Sequence, residues 1–161
     1  MVGDGDLLPA LRAQAGPGVR FAGAVPDVRG WLAAADVVVL PSRWEGLSLT
    51  LLEALASGRP VVASAVAGLA EVVPASAGAL VPPERPDALA DAVARRLCDP
   101  ALAGAEGRAA AAYATQFDVH RTFDRLAGAT LAALGKPTGP SPARILRRGR
   151  GAVTPTLRSP G

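Results

Sequence analysis

Apolar positions along this chain change their spacing repeatedly, and each change marks an element. Leu7, Leu8, Leu11 and Ala15 recur at helical spacing after the turn Gly3-Asp4-Gly5-Asp6, and that helix stops near Gly16-Pro17-Gly18. Met1-Val2 reads as the end of a strand, and Val19-Arg20-Phe21-Ala22 as a short strand punctuated by Gly23. Asp27 is placed to cap a helix holding Val28, Trp31, Leu32 and Ala35. Val37-Val38-Val39-Leu40 is apolar on both faces and ends at Pro41-Ser42, the pattern of a parallel strand covered by helices.

The alternation continues through a helix from Leu47 to Ala56, closed by Ser57-Gly58 with Gly58 as a left-handed cap. The buried strand Pro60-Val61-Val62-Ala63 is next, then a short helix around residues 69–73 and a strand at 79–81. From Pro86 the pattern is helical, with Leu89, Ala90, Val93, Ala94 and Leu97 on one face; Pro100 restarts a helix to about Tyr113, and 119–134 forms the last one. Four short strands and the stub at Met1, alternating with helices, predict an α/β fold with a Rossmann-like, doubly wound parallel sheet.

Composition supports a folded body: 50% of residues are hydrophobic and 19% charged, which excludes a wholly disordered chain. After Leu134 the text turns to Gly, Pro, Ser, Thr and Arg, so 1–134 is expected to fold and 135–161 to be a disordered basic tail. Charge sharpens this division. The overall net charge is +3, yet 135–161 holds six bases and no acid, leaving 11 bases against 14 acids in 1–134. A mildly acidic body argues against a nucleic-acid partner, which would require a basic folded surface. Arg147-Arg148-Gly149-Arg150 leaves peripheral contact with a membrane open.

Cys98, the single cysteine, excludes an internal disulfide and, with one histidine in the chain, a cysteine- or histidine-cluster metal site. It reads as a half-buried structural thiol. Without an apolar run approaching 18 residues or a signal-like start, the expected location is the cytoplasm or the inner face of the membrane.

Candidate chemistry concentrates at Pro41-Ser42-Arg43-Trp44-Glu45-Gly46-Leu47-Ser48-Leu49-Thr50-Leu51-Leu52-Glu53, just past the carboxyl end of the Val37–Leu40 strand. Ligands of open α/β sheets bind at that end of the strands. Gly46, Leu47, Ser48, Leu49 and Thr50 open a helix, so free N–H groups and the helix dipole face the crevice and suit a diphosphate. Glu45 and Glu53 lie eight positions apart, nearly one face of a helix, and carboxylates accept paired hydrogen bonds from vicinal hydroxyls. An anion nest with two such acids is the profile of a nucleotide-sugar site. Without the flanking text, the two glutamates read as solvated helix charges.

These residues resemble the C-terminal domain of GT-B glycosyltransferases of family 4, the glycosyl transferases group 1, whose signature is two glutamates separated by seven residues. The neighbouring blocks agree: Gly3-Asp4-Gly5, Val19–Gly23, Ala35–Ser42, Gly58–Ala63, Gly68, Glu71-Val72-Val73, Gly78 and Leu80–Pro83. The resemblance implies that Glu53 holds the ribose hydroxyls and that Glu45 contacts the transferred sugar beside its anomeric centre. It implies that the backbone of Gly46–Thr50 binds sugar and phosphate, and that Gly23 to Val25 wall the base. The implied reaction is transfer from a nucleotide-diphosphate sugar with retention of configuration, without a metal or other cofactor. The acceptor, whether lipid, polysaccharide or small molecule, stays open.

Two departures accompany the resemblance. The family's N-terminal half and its diphosphate-neutralising Arg or Lys pair have no counterpart here, and Arg43 and Arg59 are not at matching positions. The expectation is an N-terminally incomplete donor domain, inactive alone, with a non-catalytic nucleotide-sugar-binding or partner-binding remnant as the alternative. A dinucleotide oxidoreductase is disfavoured, because Leu8 stands where the third glycine of Gly-x-Gly-x-x-Gly belongs.

Overall fold

The structure, a computed structural model, describes residues 1–135, so the expected tail lies outside the described residues from Lys136 onward. The chain divides into a compact unit, Met1–Ala114, and a second that opens at Thr115.

The first unit is built from α1 (Leu8–Gln14), α2 (Arg29–Ala34), β1 (Val38–Leu40), α3 (Leu49–Ala56), β2 (Val61–Ser64), α4 (Ala67–Ala70), β3 (Gly78–Val81), α5 (Pro86–Cys98) and α6 (Pro100–Ala114). The three strands form one parallel sheet in the order β1-β2-β3, with Val38 opposite Val61 and Val61 opposite Gly78. Every residue of β2 is buried because it is the central strand. Leu51, Ala54 and Leu55, at helical spacing on α3, bury against Val61, Ala63, Leu69 and Ala110. Each fully buried leucine there contributes about 1.5–3 kcal/mol.

The amino-terminal strands differ from expectation. Residues 1–3 and 20–23 are extended and bonded to each other in parallel, Ala22 N–H to Met1 O at 2.9 Å and Gly3 N–H to Gly23 O at 2.7 Å. They form no regular strand and do not join the three-stranded sheet. With the Met1 ammonium also donating to Arg20 O, three such bonds do not sustain a ladder without a neighbour on the other side. Asp27 likewise stands one residue before the α2 cap: its carboxylate accepts Arg29 N–H at 3.0 Å and pairs with the Arg29 guanidinium at 2.7 Å. Those hydrogen bonds hold its pKa down at about 2.

α5 is turned relative to its sequence reading. Arg96 is its one buried residue, whereas Leu97 is 55% exposed and the Cys98 thiol is exposed rather than half-buried. The cause is an ion pair: Arg96 Nε and Nη2 donate to the two carboxylate oxygens of Glu106 on α6, each at 2.7 Å, and Nη1 donates to Ala92 O at 2.8 Å. Joining α5 to α6 this way points a charged side chain inward and an apolar one out. Farther along α6, Gly107 lies so close to Gly58 that a Cβ would overlap the Gly58 carbonyl oxygen. Gly58 itself takes the left-handed conformation expected of a cap, with φ of +66°.

The second unit contains a 3₁₀ turn, Thr115–Phe117, and α7, Val119–Ala133. Asp118 caps α7, accepting His120 N–H at 3.0 Å and Arg121 N–H at 3.2 Å. These bonds to the charged form lower its pKa. The cap's stabilisation is therefore complete above the unfolded carboxyl pKa of about 3.9 and is lost as pH falls through the lower folded value. Acid titration of α7 helicity by NMR should show this loss, and Asp118→Asn, which caps without titrating, should remove the pH dependence.

Candidate functional site

The loop from Pro41 to Ser48 carries the candidate chemistry from β1 to α3, and hydrogen bonds fix it at three points. Ser42 Oγ donates to Glu45 Oε2 at 3.1 Å, orienting a half-buried carboxylate. The Glu45 carbonyl accepts Gly68 N–H from α4 at 3.2 Å. Ser48 closes the loop as the α3 N-cap, its buried hydroxyl accepting Leu51 N–H at 3.4 Å.

That cap changes how the predicted residues are arranged. The helix begins at Leu49, two residues later than its apolar pattern indicates, because a serine side chain satisfies a first-turn N–H better from outside the helix. Gly46 and Leu47 are thus loop residues, and Glu45 lies beyond the reach of helical periodicity. The eight-residue offset does not place Glu45 and Glu53 on one helix face. Glu53 is exposed on α3, one turn after Thr50 and on the same side, opposite the buried Leu51, Ala54 and Leu55. Leu47 and Leu49 are exposed, and Trp44, 84% exposed, stands out in solvent rather than lining a cleft.

A cavity of about 710 Å³ opens between β1 and the extended segment 1–3, and Thr50 and Val25 both line it. It therefore joins the first turn of α3 to the Gly23–Val25 segment, whose Gly23 is half-buried with φ of +71°. Trp31, read from the sequence as packed, is 51% exposed and lines this same cavity. A second cavity of about 300 Å³ lies past the carboxyl ends of β2 and β3, with Arg43, Ser64, Glu84 and Arg85 around it. Arg43 Nε faces Glu84 there at 3.5 Å, both side chains exposed. Arg59 is elsewhere, donating from Nη2 to Ala33 O at the carboxyl end of α2.

Sequence reasoning missed two supporting residues. Ser42 is ordinary as a strand-ending serine, and only its distance to Glu45 gives it a role. Gly68 takes part in the family resemblance, but its function is steric: a Cβ would overlap the carbonyl oxygens of both Glu45 and Gly46. Among the described residues, no three His, Cys, Asp or Glu side chains gather as a metal site, and no helix is long and apolar enough to cross a membrane.

Residues 1–99, which include this loop and its supports, match the family model for glycosyl transferases group 1. The chain belongs to that family. Similar group 1 proteins include the D-inositol 3-phosphate glycosyltransferase of Arthrobacter sp., 43% identical over 98 residues, or 60% of this chain and 23% of that protein. The lipopolysaccharide core biosynthesis mannosyltransferase LpcC of Rhizobium leguminosarum is 43% identical over 90 residues, 55% of this chain and 26% of its own. The chain thus spans about a quarter of the length of these curated relatives. In structure it resembles HepE of Anabaena in complex with UDP-glucose, with a TM-score of 0.74 and 29% identity over 82% of this chain and 40% of that one. The group 1 neighbours carry the GT-B, Rossmann-like fold, and this unit is a part of it.

Proposed function

We propose that the first unit binds the nucleotide-diphosphate sugar of a retaining glycosyl transfer, with no metal or other cofactor. The observation that carries this reading is the crevice beyond β1, where the start of α3 and the Gly23–Val25 segment face one cavity. Leu49 and Thr50, with the N–H groups of the first α3 turn, receive the diphosphate, and Gly46, Leu47 and Ser48 shape the approach to it. Val25 and Gly23 border the base. Glu53, next along the helix from Thr50, accepts the ribose hydroxyls, and Glu45 contacts the transferred sugar. A fixed carboxylate there stabilises the oxocarbenium-like charge that develops at the anomeric carbon.

The complex of HepE with UDP-glucose supports a nucleotide sugar as the donor. To the first unit we assign donor binding and not the completed transfer. We place the reaction in the cytoplasm, with attachment to the inner membrane face if the acceptor is a lipid. One observation favours a non-catalytic remnant instead: Arg43, the base nearest Glu45 in sequence, is turned to Glu84 and leaves the diphosphate charge to backbone groups.

Calorimetric titration of the chain with UDP, GDP and ADP tests the donor reading. One nucleotide should bind, and Glu53→Ala should weaken it about 10- to 100-fold, the loss expected for hydrogen bonds to a charged group. A folded chain that binds none of the three, or binds equally well without Glu53, would refute it.

A further inference from the structure

The cavity of about 300 Å³ past the carboxyl ends of β2 and β3 takes no part in the donor reading. It lies toward β3 from the Glu45 loop, whereas the donor cavity lies along the outer side of β1. Ser64 marks it. The residues before it on the central strand are Val61, Val62 and Ala63, and Ser64 is itself only 4% exposed. Its hydroxyl borders the cavity and makes no hydrogen bond among the described residues. A buried hydroxyl without a partner is costly, so this one suits a ligand that supplies a partner.

A loose ion pair borders the same cavity. Elsewhere arginine grips its acid: Arg29 Nε donates to Asp27 Oδ1, and Arg85 Nε to Asp87 Oδ1, each at 2.9 Å. Arg43 Nε stays 3.5 Å from Glu84 Oε1, outside hydrogen-bonding distance, so a donor and an acceptor remain available side by side. Glu84 is held there in the left-handed region, with φ of +59°, the one non-glycine residue so placed among the described residues. Strain of this kind clusters where a side chain has a task.

Charge decides the class of ligand. Both arginines around the cavity, Arg43 and Arg85, already face carboxylates, so an anion finds no surplus positive charge. What remains is a donor and an acceptor 3.5 Å apart, a buried hydroxyl, and an apolar wall of Val81, Pro82 and Leu89. Two neighbouring hydroxyls of a pyranose satisfy the pair: one donates to Glu84 and the next accepts from Arg43. The C–H face of the ring covers the wall, and Ser64 is left for a third hydroxyl.

We propose that this cavity holds a neutral sugar ring of the acceptor, so that the acceptor is a glycan or a glycosylated molecule. The assignment to the acceptor rests on the proposed function, which puts the donor on the other side of the Pro41–Ser48 loop; the binding of a sugar ring does not.

The probes are the methyl α- and β-glycosides of glucose, galactose and mannose, added to the full chain at millimolar concentration and followed by amide NMR. At least one should shift the signals of Arg43, Ser64 and Glu84 saturably, with or without UDP, GDP or ADP present. Ser64→Ala should weaken that binding about tenfold, the loss of one hydrogen bond. Glu84→Gly should weaken it about 10- to 100-fold while keeping or raising the melting temperature, because glycine takes the left-handed conformation without strain. A merely structural glutamate would not separate the two readouts. Both variants should bind nucleotide like the parent. Nucleotide binding without sugar binding overturns this inference alone; sugar binding without nucleotide binding overturns the donor reading and with it the assignment to the acceptor. Two further results would overturn the proposal: equal binding by Ser64→Ala and Glu84→Gly, or displacement of the glycoside by UDP-glucose, GDP-mannose or ADP-glucose, which would give the cavity to the transferred sugar.

Discussion

Gly68→Ala will lower the melting temperature and remove nucleotide binding together, although position 68 touches no proposed ligand. Its new methyl group would occupy the space of the Glu45 and Gly46 carbonyl oxygens, and backbone cannot swing aside as a side chain can. Either α4 moves, losing the Gly68 N–H to Glu45 O bond, or the loop moves and takes the Glu45 carboxylate from Ser42. Overpacking of this kind costs about 1–3 kcal/mol. A displacement near 1 Å at a binding group is worth about 100-fold in function. Gly30→Ala on α2 is the control: nothing lies within 4 Å of a Cβ built there, so both properties should survive. Calorimetry and thermal unfolding on the two variants decide the matter; a Gly68→Ala protein that melts and binds like the parent would show that the loop does not depend on α4.

Arg96→Ala should be strongly destabilising. It leaves Glu106, 7% exposed, as a buried charge without its partner, at a cost of about 3–5 kcal/mol. Against a total stability of about 5–15 kcal/mol for a domain, that is a large share. Glu106→Ala should cost a similar amount by orphaning the guanidinium. The informative variant is the double change Arg96→Met with Glu106→Leu, which fills the space without any charge and should be more stable than either single variant. Urea denaturation of the three proteins reads the differences directly. If the double variant is the least stable, the pair contributes net stability beyond what apolar packing supplies.

The legible parts of this fold are those where one periodicity dominates. Val61–Ala63 of β2 and the inner face of α3 are readable because burial on every side favours apolar residues, and Gly58 because a left-handed cap has few other occupants. The inward face of α5 is not, since its deepest residue is an arginine whose partner lies ten positions away on another helix. The Val19–Ala22 strand failed for a different reason: strand-like residues become a strand only when a neighbour completes their ladder. At the site, the sequence located the loop and its acids, but the relation between Glu45 and Glu53 depended on a helix start that Ser48 moves by two residues.

The contact between Gly58 and Gly107 gives α3 one fixed end and one adjustable end. With no side chain between the two backbones, the carboxyl terminus of α3 has little room to shift against α6. Its amino end is held by the Ser48 hydroxyl, and the loop before it by the bonds of Ser42 and Gly68 to Glu45, with its leucines and tryptophan in solvent. On the proposed function, adjustment to an arriving diphosphate falls to the solvent-facing side chains around residues 44–48, while Glu53 rides on the stiffer part of the helix. A donor that fits the helix but not the loop would then meet a ready-made half-site, and discrimination between sugars would fall to the loop.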